Sequence, residues 1–316
     1  MSSIQNTLLK ALYERYFDDP TFLSLHSFRE ENNIDDEVFW DEVEGLEDQK
    51  LISAYAIGGA YILNTAGVLF VEENKLADSV QIEQHQQART QILNRLMWQY
   101  ETNGKHAPYF YEDLARDLSM DTNYLVTHLR MLDVMGFIEA HALGGLFLIT
   151  SVGRRSVLEW RAKMNIRQMY LDAHSLSAQK RGKALERIIT ELAKHEGWNL
   201  ESNVITRGEE LDLVLVKNHA YYLVECKWHK NPIEAKDIRD FYGKLAHRTH
   251  YRGLFISMSG FTSGAREHIK SYISHHPIVC FGPRDVEALI QTTIALDNLV
   301  EQRYRRLTTQ RQLEYE

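Results

Sequence analysis

Asp212, twelve intervening residues, then Glu225-Cys226-Lys227 put two carboxylates and an amine into two short apolar runs, LDLVLVK and YYLVECK. Asn218-His219 separates the runs and reads as a two-residue hairpin turn. With that turn, residue 217 faces 220, 214 faces 223, and Asp212 lies across from Glu225, their Cβ atoms about 4.5–5.5 Å apart. Lys227 follows Glu225 by two residues, so the strand period puts both on one face. Two adjacent carboxylates in a sheet repel and lose hydration, and a divalent cation relieves both costs. Oxygen donors select a hard ion, Mg2+ or Mn2+. Such an ion lowers the pKa of a bound water and stabilises a pentacovalent phosphate. Lys227 beside it could position or deprotonate that water and offset phosphate charge. The backbone carbonyl of Cys226 points sideways and could complete the metal shell, while its thiol lies on the opposite face and packs. The other reading of the same residues is a structural Glu225–Lys227 ion pair, with Asp212 at a strand end.

These residues need a scaffold. Lys183 to His195 forms an amphipathic helix, with Leu185, Ile188, Ile189 and Leu192 on one face. NVITRG, LDLVLVK and YYLVECKW follow as strands, then a helix from Ile233 to about Thr249. A strand from Gly253, a helix over Ala265–Ser274 and a strand through IVCF complete the series. Strands mixed with helices at this spacing predict an α/β sandwich with helices on both sheet faces. His229, Lys230, Arg239 and Lys244 could grip a phosphate backbone or be solvated; Ser257, Ser259 and Ser263 could donate to phosphate or cap a helix. Gln302 onward reads as a charged helical tail without catalytic content.

The first half repeats itself. LISAYAIGGAYILNTAGVLF from Leu51 and FIEAHALGGLFLITSVGRRS from Phe137 align, with Gly58-Gly59 on Gly144-Gly145, Thr65 on Ser151 and Gly67 on Gly153. Each reads as a hairpin leading into a capped helix. Upstream lie two helices per copy: Phe22–Glu31 and Asp35–Gln49, then Phe110–Leu118 and Asn123–Met135. Helix, helix, hairpin resembles the winged helix-turn-helix. The second helix of the first copy carries eight carboxylates, Asp35, Asp36, Glu37, Asp41, Glu42, Glu44, Glu47 and Asp48, which a duplex would repel. That copy is expected to contact protein. Its counterpart, with Asn123, Tyr124, Thr127, His128 and Arg130, is near neutral and could reach bases or simply pack. After Gly153 a connector helix is expected, facing a core through an imperfect stripe of Val157, Trp160, Met164 and Leu171, which Ile166, Met169 and Tyr170 to its side could widen.

Composition bounds the rest. The 316 residues suffice for two or three domains, and no apolar run approaches a membrane span. The N-terminus lacks the basic start and apolar core of a secretion signal. Two cysteines without zinc spacing predict a reduced, cytoplasmic chain free of disulfides. The net charge of −8 hides an asymmetry: residues 1–80 hold 5 Lys/Arg against 16 Asp/Glu, whereas Ser151 to Lys183 hold 8 against 2. Acid sits at the front and a basic stretch, suited to phosphate, precedes the α/β region.

Asp212…Glu225-Cys226-Lys227 resembles the PD-(D/E)xK nuclease motif. RGKALERIITELAKHEGW from Arg181, LFISMSGFTSGAREHI from Leu254 and IVCFGPRDVEALI from Ile278 are similar to further blocks of the Mrr-like restriction endonucleases. Leu211 stands in the place of the motif's Pro, and Glu225 where many relatives carry Gln. The resemblance implies a Mg2+- or Mn2+-dependent DNA endonuclease of restriction or anti-phage type. Asp212, Glu225 and the Cys226 carbonyl would hold metal, Glu186 would help, often through water, and Lys227 would assist the attacking water. It implies this organisation: an acidic winged helix over 1–80, a second over 86–153, a connector over 154–177, the nuclease over 178–295 and a helical tail over 296–316. A homodimer is expected, since double-strand cutting needs two sites, and the acidic module is a candidate for gating or for a protein partner. Two rival readings fit the same residues: a winged-helix transcription regulator with an inactive nuclease fold, and a junction- or RNA-specific repair nuclease.

Overall fold

The computed structural model describes residues 1–17, 22–56, 59–141, 145–201 and 213–313, which fall into two compact units, 1–158 and 159–316. In the first unit α1 (Ser3–Tyr16) starts at a Ser2–Gln5 capping box and buries Leu8, Leu9, Leu12 and Tyr13. β1 (Leu23–Ser24) leads into α2 (Leu25–Glu31). α3 (Asp36–Asp48) is capped by Asp35 and buries Phe39, Val43 and Leu46, leaving its carboxylates outward. The hairpin β2 (Ile52–Ala56) and β3 (Ala60–Leu63) precedes α4 (Thr65–Glu73). A long helix, α5 (Ser79–Asn103), opens the second copy: β4 (Tyr109–Phe110), α6 (Tyr111–Leu118), α7 (Thr122–Val134), β5 (Ile138–Ala140) and β6 (Leu146–Ile149).

The repeat extends to atomic detail. Both hairpins pair with a two-residue strand, giving orders β1-β3-β2 and β4-β6-β5. Those short strands were expected as helix starts; pairing with a distant hairpin pulls them extended. A Cβ on Gly67 would come within 2.3 Å of the Leu51 carbonyl oxygen, and one on Gly153 within 2.0 Å of that of Phe137. Only glycine lets the helix press onto that carbonyl.

α7 has no free reading face at Tyr124 and His128. His128 is fully buried between Phe17, Tyr124 and His85, and the Tyr124 hydroxyl is 2.8 Å from His85 Nδ1. Met131 is buried in the core of the first copy. Nearby, Arg89 pairs with buried Glu72, which also accepts from the Tyr13 hydroxyl. Burial, then the charge of Arg89 and the neighbouring His85, pushes His128 down to about 3. The same burial, with Arg89, takes His85 to about 4.

α8 (Ser151–His174) is one helix that includes the expected connector. Its buried residues are Val157, Ile166 and Ala173, whereas Trp160 and Met164 are each 38% exposed and Leu171 is 63% exposed. The expected stripe is therefore corrected. The large side chains of Trp160, Met164 and Leu171 stay partly or largely exposed, whereas Val157 packs in the core of the first unit, and Ile166 and Ala173 in that of the second.

The second unit is a mixed sheet between helices. α9 (Ala178–His195), β7 (Asn199–Glu201), β8 (Leu213–Lys217), β9 (Ala220–Lys227), α10 (Ala235–Ala246), β10 (Tyr251–Ser257), α11 (Ser263–Ser271), β11 (Ile278–Phe281), α12 (Pro283–Ile290) and α13 (Leu296–Gln310) follow in order. The strand order is β11-β10-β9-β8-β7, antiparallel from β7 to β9 and parallel from β9 to β11. Leu213, Leu215, Tyr222, Val224, Leu254, Ile256, Val279 and Phe281 pack with α9 and α12 on one face. Val214, Leu223, Phe255, Ile278 and Cys280 pack with α10 and α11 on the other. The C-terminal helix is not a loose tail. Leu296, Leu299, Val300 and Leu307 are buried, the Glu196 carboxylate accepts from Leu296 N at 2.8 Å, and Arg303 pairs with buried Asp285 at 2.6 Å. No helix among the described residues is long and apolar enough to cross a membrane.

Candidate active site

The hairpin that must position the charges forms in the expected register. Asn218 and His219 have φ of 48° and 62°, the left-handed pair that a tight two-residue turn demands. Leu213 then pairs with Val224, Val214 with Leu223 and Lys217 with Ala220. Asp212 itself, with Glu209 and Glu210, lies outside the described residues, as does most of the expected strand NVITRG.

Alternation along β9 sends Tyr222, Val224 and Cys226 toward α9, and Leu223, Glu225 and Lys227 toward α10. Glu225 is only 7% exposed, and both carboxylate oxygens are engaged. Lys227 Nζ lies 2.6 Å from Oε1, and Lys244 Nζ, from α10, donates to Oε2 at 2.8 Å. Burial alone would push the Glu225 carboxyl up. The hydrogen bonds and charges of Lys227 and Lys244 outweigh it and hold the group below the usual carboxylate range. One buried carboxylate thus sits under two ammonium groups, and these three groups carry a charge of +1.

The other sequence-derived candidates are placed as follows. Glu186 is partly buried on α9, which packs through Leu185, Ile188 and Ile189 on the face opposite the Glu225 side chain. Cys226 is in register with Ile256 of β10, and its side chain packs in the α9-side core. Ser257 and Ser259 tie down their own loop, donating to the carbonyls of Gly260 and Asn231. Thr262, not a serine, caps α11. Arg239 Nη1 is 3.2 Å from His268 Nε2. Among the described residues no group of three or more His, Cys, Asp and Glu is placed to hold a metal ion.

Lys244 was legible only as one of several surface cations. A signal existed: it stands three residues after Phe241 and one before Leu245, beside the buried stripe of α10. A lysine at the edge of an apolar stripe lays its stem along the core and brings its head to the rim.

Residues 178–280 match the restriction endonuclease family model Mrr_cat. The matched stretch opens with α9 and runs into β11, so it contains the whole Glu225–Lys227–Lys244 cluster. Among solved structures, the chain is similar to a protein of unknown function, AF1548, at 19% identity and a TM-score of 0.30, over 38% of this chain and 77% of that one. It is also similar to restriction endonuclease FokI bound to DNA (11%, TM-score 0.30, 92% of this chain and 64% of that one) and to FokI (12%, 0.31, 84% and 59%). The chain thus spans less than two thirds of both FokI chains. No curated protein matches. The family association belongs to the α/β region, the same region that the sequence blocks single out.

Proposed function

We propose that this chain is a Mg2+- or Mn2+-dependent DNA endonuclease of restriction or anti-phage defence type, cutting at a site on β8 and β9. The observation that carries the reading is the hairpin register. Continued one pair beyond Leu213–Val224, it would set Asp212 across from Glu225, on the side from which Lys227 projects. The Mrr_cat match over 178–280 supports the same region.

The donors suit such an ion. Asp212, Glu225 and the Cys226 carbonyl would offer hard oxygens, and Glu186, which α9 carries on the opposite sheet face, would contribute only through bridging water. A buried carboxylate needs cationic company, and in this fold it has two ammonium groups to lend it. The metal, when bound, would supply Lewis acidity to a water and to a phosphate oxygen. Lys227 would orient that water and offset the growing charge on the phosphate. Glu225 and Asp212 would fix the geometry from two neighbouring strands.

The two helix–helix–hairpin copies are proposed to be tandem winged helices. In the second, DNA contacts would fall to Asn123, Thr127 and Arg130, since Tyr124 and His128 are consumed by packing. The acidic first copy would serve a protein contact or gate the nuclease, and a homodimer would supply two cutting sites. The test is a cleavage panel of plasmid, linear duplex and single-stranded DNA, with Mg2+, with Mn2+ and with chelator. Wild type should cut and Asp212→Ala should not. Intact substrates throughout would end the reading, and full activity of the Ala variant would end the site assignment.

One observation favours a second reading, a regulator with an inactive nuclease fold: Glu225 is already neutralised by Lys227 and Lys244. Calorimetry separates the two, because only the nuclease takes up Mn2+ stoichiometrically.

A further inference from the structure

The second unit holds a cavity of about 240 Å³ on the sheet face opposite the Glu225 carboxylate, where α8, α9, α12 and the lead into α13 converge. Its floor is apolar: Ile166 of α8, Leu192 of α9, Leu289 and Ile290 of α12, and Ile294 beyond them. The polar part of its wall is one-sided. Lys163 and His195 are each partly buried there and have no hydrogen-bond or ion-pair partner among the described residues. The carboxylate beside them, Glu196, is engaged elsewhere. It accepts from the backbone N–H of Leu296 at 2.8 Å and of Asp297 at 3.4 Å, at the N-terminus of α13. An ammonium and an imidazole thus border the hydrocarbon without an anion.

Side chains normally collapse into a void of this size, because its walls forgo dispersion contacts. Two braces hold this one open. Arg167 donates to the carbonyls of Ile290 and Gln291 at 3.4 and 3.5 Å, tying α8 to the end of α12, and Glu196 ties α9 to α13. Between the braces Thr292, with φ of 56°, turns the chain and returns Ile294 and Ala295 to the wall. A pre-formed concave space, mostly apolar with a few polar groups, is the usual form of a small-molecule site.

Size and lining define the ligand class. A dry apolar cavity of about 150 Å³ holds one benzene, so roughly ten non-hydrogen atoms suit this one. The body must be apolar and one end anionic. We infer that the cavity binds a small organic acid, an apolar ring or chain ending in a carboxylate, which Lys163 pairs and to which His195 donates. This site is independent of the nuclease reading, since none of the proposed cleavage residues lines it.

The test titrates 3-phenylpropanoate, with 3-phenylpropanamide as its neutral match, into the full chain by ligand-observed NMR. Wild type should bind the acid with a Kd of about 0.1–1 mM and the amide about fivefold more weakly, the worth of one partly exposed ion pair. Lys163→Met should erase that preference and leave amide affinity unchanged, whereas Lys163→Arg should retain it. His195→Ala, on another helix, gives an independent loss of acid affinity should methionine disturb α8. The absence of saturable acid binding would leave a space filled by water and overturn the inference. Equal binding of acid and amide by wild type would overturn it too. So would a preference for the acid that survives in both Lys163→Met and His195→Ala, because the acid would then sit elsewhere.

Discussion

Replacing Glu225 with Gln keeps the size and shape of the side chain but leaves two ammonium groups facing a neutral amide. Removing one partner of a fully buried ion pair costs about 3–5 kcal/mol. Here the Glu225 side chain is 9% exposed, but those of Lys227 and Lys244 are 32% and 31% exposed. Solvent screening at the lysines brings the expected loss down to about 1–2 kcal/mol. In a unit of this size each kcal/mol moves the melting temperature by about 2–4 °C, so the transition of residues 159–316 should fall by roughly 2–8 °C at pH 7. The pH dependence has a definite sign. Glu225 is held below its ordinary value of 4.5, so its stabilisation is present above that value and is lost as pH falls through the folded-state value. The gap between wild type and the Gln variant should therefore close in acid. Metal adds a second contrast: Mn2+ at ten times its Kd should stabilise wild type by about 1.4 kcal/mol and leave the Gln variant nearly unmoved. Differential scanning calorimetry at pH 7 and pH 3, with and without Mn2+, reads all three effects. A Gln variant that melts at or above wild type at pH 7 without metal would refute the claim that these charges hold the site together. A gap that stays constant as pH is lowered from 7 through 4.5 and on into the acid unfolding range would refute its assignment to the ionised carboxylate.

Three further outcomes follow from the fold. Gly67→Ala and Gly153→Ala each push a Cβ against a backbone carbonyl, at 2.3 and 2.0 Å, and should each destabilise the first unit by about 1–3 kcal/mol in chemical denaturation; unchanged midpoints would deny the shared helix–carbonyl contact. His128 is kept neutral by burial, so its stabilisation is complete above its ordinary 6.5 and drains away as pH falls toward about 3. Phe at that position removes the His128 share of the penalty and should make the fall in stability of the first unit shallower over that range, the remainder belonging to His85, measured by urea titration at several pH values. Truncation after Ala295 strips Leu296, Leu299, Val300 and Leu307 from the core and should abolish the cooperative melting of the second unit; a truncated chain that melts normally would show the C-terminal helix to be dispensable.

Much of this was legible in the sequence where the physics is local. Asn218 and His219 tolerate left-handed backbone, and that alone set the hairpin register to which Glu225 and Lys227 belong. The 86-residue repeat was visible because both copies need glycine at one packing point, Gly67 and Gly153. Element types followed from period two or 3.6 in runs such as YYLVECK and ALERIITEL. What failed was long-range. Leu23, Ser24 and Phe110 read locally as helix starts, because the strands they pair with lie far along the chain. Trp160, Met164 and Leu171 read as core by size and spacing, which say nothing about which neighbour is present.

By itself, then, the sequence determined that two strands meet at a tight turn, that Glu225 and Lys227 share a face, and that the first half repeats. Each is a consequence of backbone preference and side-chain period, which act over a few residues. Tertiary structure alone decided that Lys244 comes from another element to hold the second oxygen of Glu225, that His128 is sealed beneath Phe17, and that the last helix completes the second core. Those contacts join residues separated by 19 positions in the first case and by far more in the others, and only the folding of distant surfaces onto one another brings them within reach.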